Sequence, residues 1–277
     1  MKLVKTNLGW REFWYQEDDR YIGQRIALGK YEPYLTKVIL ENTDRDSTAV
    51  DVGANIGYYT VLLADKVKNV WAVEPEEKTF EILKKNCSGL KNVRLIRAAV
   101  GSREEMIELE VSKENYGNHR IISNFKFSTR GGLRYAPLIS KTEKVKIKKL
   151  DSLVKEQVDL MKIDVQGWES EVIEGAKKII KKYKPTIFFE LSKKENYDKD
   201  KNMWIFLKKV YKKIYFVDEY IQIYYPVSFE RIKKYIEKKE QGNLVVFQEN
   251  NLKIKWGGIK DFWLKKWVKR IIGRPET

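Results

Sequence analysis

The stretch TAVDVGANIGYYTVLLAD, Thr48 to Asp65, decides the fold. It opens as a short apolar run of strand length, turns through two glycines, and continues as an apolar helix. Two answers explain why an aspartate and two glycines meet at this corner. One is a nucleotide-like ligand held at the turn; the other is a tight strand-to-helix turn that binds nothing.

The same alternation runs outward from the corner. NVWAVEP reads as a strand and EKTFEILKKNC as a helix, with Phe80, Leu83 and Cys87 at helical spacing. VRLIRAAVG, VDLMKIDVQG and KPTIFFEL read as further strands, and Val172, Ile173, Ala176, Ile179 and Ile180 make a helical stripe between the last two. Strands apolar on both faces and alternating with helices predict a largely parallel sheet covered on both sides, hence an α/β fold. Residues 1–46 read as an aromatic, charged N-terminal preface of helical character, and 47–250 as the main domain.

Residues 103–150 break the rhythm. Ile107, Leu109 and Val111 alternate with polar residues, as do Val145 and Ile147, which predicts half-exposed antiparallel strands. They flank a polar, aromatic, turn-rich stretch. The whole reads as a β-rich insertion at the sheet's carboxyl edge, either a substrate wall or a structural extension.

Composition narrows the function. One cysteine and one histidine exclude an internal disulfide and a Cys/His zinc cluster. No apolar run spans a bilayer and no secretory leader is legible, which points to a cytoplasmic protein. The formal net charge is +16, and residues 201–277 hold 18 Lys and Arg against 8 Asp and Glu. Such a tail suits an anionic partner, nucleic acid or a lipid surface.

The corner reads D-x-G-x-x-x-G rather than the dinucleotide G-x-G-x-x-G. Gly53 permits the turn and leaves room for a ligand against the backbone; Gly57 lets the next helix pack closely. An aspartate before the turn repels phosphate and suits an ammonium group, as in S-adenosylmethionine. Glu74 follows 23 positions after Asp51, at the next strand end, where an acid accepts both ribose hydroxyls. Ala98–Gly101 leaves space for an adenine beside Ala99.

Taken in order, VDVGANIGYYT, AVEPEEKTFEILKKN, RAAVGS, KLDSL and DLMKIDVQGWESEVIEGA resemble the FkbM family of class I S-adenosylmethionine-dependent methyltransferases, from about Tyr31 to Leu191. The resemblance implies a Rossmann-like, mostly parallel seven-stranded sheet with an antiparallel last strand. It implies S-adenosyl-L-methionine as cofactor and methylation of a hydroxyl, typically on a sugar or polyketide. Carried over, Asp51, Gly53, Asn55 and Gly57 hold the methionine end, Glu74 takes the ribose, and Ala99 lies by the adenine; Ala54 and Pro75 complete the set. Gln166 departs from the family's IDVEG pattern, which removes an acid from that position.

Methyl transfer to a hydroxyl needs in-line alignment and a proton acceptor. Asp164, Glu169, Glu190 and His119 are the acids and bases at the sheet's carboxyl edge or in the insertion. Asp164 reads as base or orienter, or as a cap of the next helix. His119 is the lone histidine, Glu190 ends a strand, and Glu169 is a first-turn acid. Lys162 alternates with Asp164 and would neutralise it. No metal-ligand spacing stands out.

In the tail, Ile259, Phe262, Trp263, Trp267 and Ile271 share one helical face opposite Lys260, Lys265, Lys266, Lys269 and Arg270. Residues 251–277 therefore read as a basic amphipathic helix, docked on the domain or lying through 258–272 on an anionic membrane, where a lipid-linked glycan would be the acceptor. The alternatives to a sugar O-methyltransferase are an RNA 2′-O-methyltransferase and a non-catalytic glycan- or membrane-binding module. The Asn/Asp-Pro-Pro signature of base-nitrogen methylation is absent, and so is the phosphate fingerprint of a nicotinamide dehydrogenase.

Overall fold

A computed structural model describes residues 2–112, 120–121, 139–192, 197–239 and 241–247. The chain opens with a hairpin, β1 (Leu3–Leu8) and β2 (Arg11–Gln16), then α1 (Gly23–Ala27) and α2 (Pro33–Glu41). The helical character expected of residues 1–46 holds for α1 and α2 and is corrected for residues 3–16, which form the hairpin. Leu3, Leu8, Phe13 and Tyr15 pack the hairpin against the helices, so its apolar residues serve a sheet period first.

The core unit follows as β3 (Thr48–Val52), α3 (Tyr58–Ala64), β4 (Asn69–Val73), α4 (Glu77–Asn86), β5 (Val93–Ile96) and β6 (Ala99–Val100). The insertion supplies β7 (Met106–Ser112), β8 (Arg120–Ile121) and β9 (Ile139–Lys148). Then come α5 (Leu150–Leu153), β10 (Leu160–Ile163), α6 (Glu169–Gly175), α7 (Lys177–Tyr183) and β11 (Thr186–Ser192). The described chain closes with α8 (Tyr197–Tyr211), β12 (Tyr215–Asp218), β13 (Ile223–Pro226), α9 (Phe229–Lys239) and β14 (Gln241–Val246).

The main sheet has the order β13-β12-β14-β11-β10-β3-β4-β5. Strands β11, β10, β3, β4 and β5 run parallel, and β14 lies antiparallel between β11 and β12. The expected seven strands are present; the eighth, β13, adds an antiparallel edge beside β12.

Strand periodicity sorts the core into two layers. Val50, Val52, Met161, Ile163 and Phe189 point to the layer of α6–α9. Ala49, Val70, Leu160 and Phe188 point to the layer of α2 and α3, against Leu35, Ile39, Tyr59 and Leu63. Each fully buried Leu, Ile or Phe contributes about 1.5–3 kcal/mol of transfer free energy. By the same alternation, Asp51 and Lys162 fall on the α2–α3 side, and they are register partners on adjacent strands. Two ionisable groups inside that layer are the first departure from an apolar interior.

In the insertion, β7 and β9 pair antiparallel as the alternation requires, with Leu109, Val111, Val145 and Ile147 buried. His119 and the turn-rich stretch of 122–138 lie outside the described residues, as do 248–277 with the expected amphipathic helix. No helix among the described residues is long and apolar enough to cross a membrane.

Candidate active site

At the carboxyl ends of β3, β4 and β10 lies a cavity of about 310 Å³. Its first wall is the corner. Asn55 holds a left-handed backbone (φ 51°), and its amide donates to Glu74 Oε2 at 3.0 Å. The Glu76 amide donates to Glu74 Oε1 at 3.0 Å, so Glu74 is fixed at the wall by two main-chain donors. Burial pushes its carboxyl up to about 7, against the pull of those two amides. Gly53, Ala54, Asn55, Glu74, Pro75 and Ala99 all line the cavity.

Of the two corner glycines, Gly53 meets main chain where space for a ligand was expected, and Gly57 packs as expected. A Cβ on Gly53 (φ 76°) would stand 1.9 Å from the Asp164 carbonyl oxygen. The space is taken by the neighbouring strand's main chain, not reserved for a ligand. Gly57 (φ 95°) does serve close packing, since a Cβ there would meet Leu83 Cδ1 of α4 at 2.7 Å. It begins α3 without lining the cavity.

Asp51 sits apart from that lining. It is fully buried beneath the cavity and is not part of its lining. Thr60 Oγ1 donates to Asp51 Oδ2 at 2.6 Å, while Oδ1 has no hydrogen-bond partner. Burial raises its pKa, opposed by Lys162 and Thr60. A strand residue alternates faces, and Asp51 points into the helix layer rather than along the strand toward the crevice.

The far end of the cavity carries charge. Lys162 is buried, with Nζ 3.1 Å from Asp164 Oδ2 and 4.9 Å from the centre of the Tyr59 ring. Burial pulls the ammonium down, but Asp164, Asp51 and Glu32 more than reverse this, so it stays protonated. Gln166, at φ 52°, donates through Nε2 to Asp164 Oδ1 at 3.1 Å and Glu190 Oε2 at 3.3 Å. Burial raises the Glu190 carboxyl well above the usual range, and Asp164, Glu169 and Glu32 add to the effect. Asp164 and Glu190 therefore meet across one glutamine amide. A glutamate at 166 would bring a third acid to the same point.

Neither Asp164 nor Glu169 caps α6, whose N-cap is Trp168 with no side-chain capping bond. Glu169 Oε1 accepts from the Gly167 amide at 2.9 Å and the Val165 amide at 3.3 Å, closing the turn before α6. Asp164 makes no such bond and stays with the cavity.

The N-terminal segment supplies a wall that local sequence patterns did not reveal. Tyr21, Ile22, Arg25, Tyr31 and Glu32 all line the cavity. Asp19 orders the approach by accepting from the Ile22 amide at 3.0 Å and the Gly23 amide at 2.9 Å. Asn86 ties the hairpin to the corner, donating to Trp14 O at 2.9 Å and Ile56 O at 2.7 Å. The EP pair at Glu32–Pro33 was a signal for a helix start, and α2 does begin at Pro33. Nothing local announced that the helix start faces the cavity.

The walls fit a nucleoside cofactor with an amino acid tail. A buried carboxylate, pinned by two main-chain amides, and the small Ala98 and Ala99 stand in one lining.

Comparison with known proteins agrees. The Methyltransferase FkbM domain model matches residues 51–243. Nothing among curated proteins matches. Among solved structures, the chain is similar to a methyltransferase FkbM from Methylobacillus flagellatus KT, at 13% identity and TM-score 0.47, covering 80% of this chain and 52% of that one. It thus spans about half the length of that protein. It is also similar to an rRNA methylase from Streptococcus thermophilus, at 14% identity and TM-score 0.44, covering 82% and 99%. A third is a putative methyltransferase from Streptococcus mutans in complex with SAH, at 14% identity and TM-score 0.43, covering 82% and 98%. The family match takes in more than half of the chain, from the Asp51 corner to the last strand: the protein belongs to the FkbM family of S-adenosylmethionine-dependent methyltransferases.

Proposed function

We propose that the protein moves a methyl group from S-adenosylmethionine to a hydroxyl of a sugar or related polyol. The observation that carries this is that Asp164 and Glu190 line the same cavity as Glu74. The cofactor supplies an electrophilic methyl on a sulfonium; the protein aligns the hydroxyl and takes its proton.

In this reading Glu74 accepts the ribose hydroxyls, Asn55 and Ala54 line the amino acid end, and Pro75 and Ala99 bound the adenine. Asp51 acts from below, as a buried charge opposed by Lys162, rather than by contact. Asp164 is the proton acceptor. Lys162 pairs with it at 3.1 Å, and Gln166 fixes its orientation against Glu190. His119 in the insertion is a further acceptor-side candidate. The tryptophan- and lysine-bearing segment 258–272 supports contact with an anionic membrane and, with it, a lipid-linked glycan.

The test is transfer of labelled methyl from S-adenosylmethionine to a panel of free and lipid-linked glycans. The expected product is a methyl ether that survives mild alkali. Label that alkali removes would mark an ester and contradict hydroxyl methylation. Asp164→Asn should lower kcat by roughly 10²–10⁴-fold with cofactor affinity retained.

A further inference from the structure

Resting on the reading above, we infer that Glu32 is the residue that positions the acceptor, taking a hydrogen bond from a hydroxyl of a neutral polyol. The compartment it completes rejects a phosphate at the reacting end.

Glu32 stands at the N-cap of α2 in a left-handed conformation (φ 41°, ψ 54°), with no side-chain capping bond. Such a backbone is costly for a residue with a Cβ and persists where its surroundings enforce it. The capping work is done from 185 residues away. Glu219 Oε1 accepts from the Tyr34 amide at 2.7 Å and Oε2 from the Leu35 amide at 2.9 Å. The Glu32 side chain is thereby released to the cavity. There Tyr59 OH donates to Glu32 Oε2 at 2.7 Å, and Oε1 has no partner among the described residues. Glu32 lines both the main cavity and a small neighbouring pocket that it shares with Lys162, Asp164 and Glu190.

The charge pattern selects the ligand. Glu32, Asp164 and Glu190 surround Lys162, whose ammonium is already paired with Asp164. Burial raises the Glu32 carboxyl, Asp164 adds to this and Lys162 opposes it. Arg25, the other cation in the lining, is exposed to solvent, and its guanidinium donates to Lys30 O at 3.3 Å. A phosphate at the acid-lined end would be desolvated beside three carboxylates, where the one buried cation is already paired. Hydroxyls suit this end, since they donate to carboxylates and accept from Lys162. The acceptor compartment thus opposes the sign of the +16 chain.

The test uses the full chain saturated with S-adenosylhomocysteine, and saturation-transfer NMR with methyl hexopyranosides and their 6-phosphates as probes. At least one neutral glycoside should receive saturation and its phosphate should not. Glu32→Ala should weaken that signal roughly tenfold, and Glu32→Gln, which keeps size and an acceptor for Tyr59, should weaken it less. Both variants should bind S-adenosylhomocysteine as the parent does, which also reports correct folding. Equal transfer in Glu32→Ala, equal binding of the phosphates, or no glycoside binding by a protein that holds the cofactor product would overturn the inference. A parent protein that fails to bind S-adenosylhomocysteine would instead overturn the methyltransferase site itself.

Discussion

The main-chain carbonyl of Asp164 fills the space that a Cβ on Gly53 would need, 1.9 Å from the ideal Cβ position. The end of β10 is therefore built onto the corner after β3. The main chain of the cofactor wall and that of the candidate proton acceptor are packed as one piece, so a change that moves the backbone at either reaches both, whereas a side-chain change at Asp164 need not.

Gly53→Ala should then cost on the order of 3 kcal/mol or more, from the clash with immovable backbone and the positive φ. It should also abolish S-adenosylhomocysteine binding. Gly29→Ala is the control: φ is 64° there, but nothing lies within 4 Å of the added carbon. That change should cost only about 1–2 kcal/mol and leave binding intact. Thermal melts and calorimetry on both variants measure the difference.

Lys162→Met should destabilise the protein by about 3–5 kcal/mol, because it strips the cation from buried Asp51 and from Asp164. Adding Asp51→Asn should recover part of the loss, since the stranded charge is then gone. Chemical denaturation of the single and double variants tests this; a double variant no more stable than Lys162→Met would contradict it.

Cofactor binding should depend on pH through Glu74. Its carboxyl, pushed up to about 7 by burial, holds a proton in the free protein below that pH. Ribose hydroxyls donate to the anion, so binding favours the deprotonated form and lowers its pKa. Affinity should rise as pH increases through 7 and then level off, with a proton released on binding near pH 6. Titration in buffers of different ionisation enthalpy reads that proton directly.

Glu219→Ala should remove the distant cap of α2 at a cost of about 1 kcal/mol. Because Glu32 depends on that cap for its placement, acceptor KM should rise while cofactor affinity holds. Steady-state kinetics with an acceptor from the glycan panel separates the two.

Much of this was legible before the structure. Apolar runs at Thr48–Val52 and Leu160–Ile163, each buried on both faces, could only be central strands. Glu74 was legible because its position at a strand end fixes its direction. Asp51 misled because it sits inside the strand, where alternation turns its carboxylate into a helix layer. The Gly53 contact was hidden because its partner, Asp164, is 111 positions away. Glu32 was hidden for a related reason. Its role depends on Glu219 capping a helix across the fold, and no window of sequence contains both.

The most direct measurement is calorimetric titration of the full chain with S-adenosylhomocysteine, beside Glu74→Ala of verified fold. One-site binding by the parent, lost or weakened at least tenfold in the variant, is the expected result. Binding unchanged by loss of the Glu74 carboxylate would contradict the placement of the cofactor at this corner.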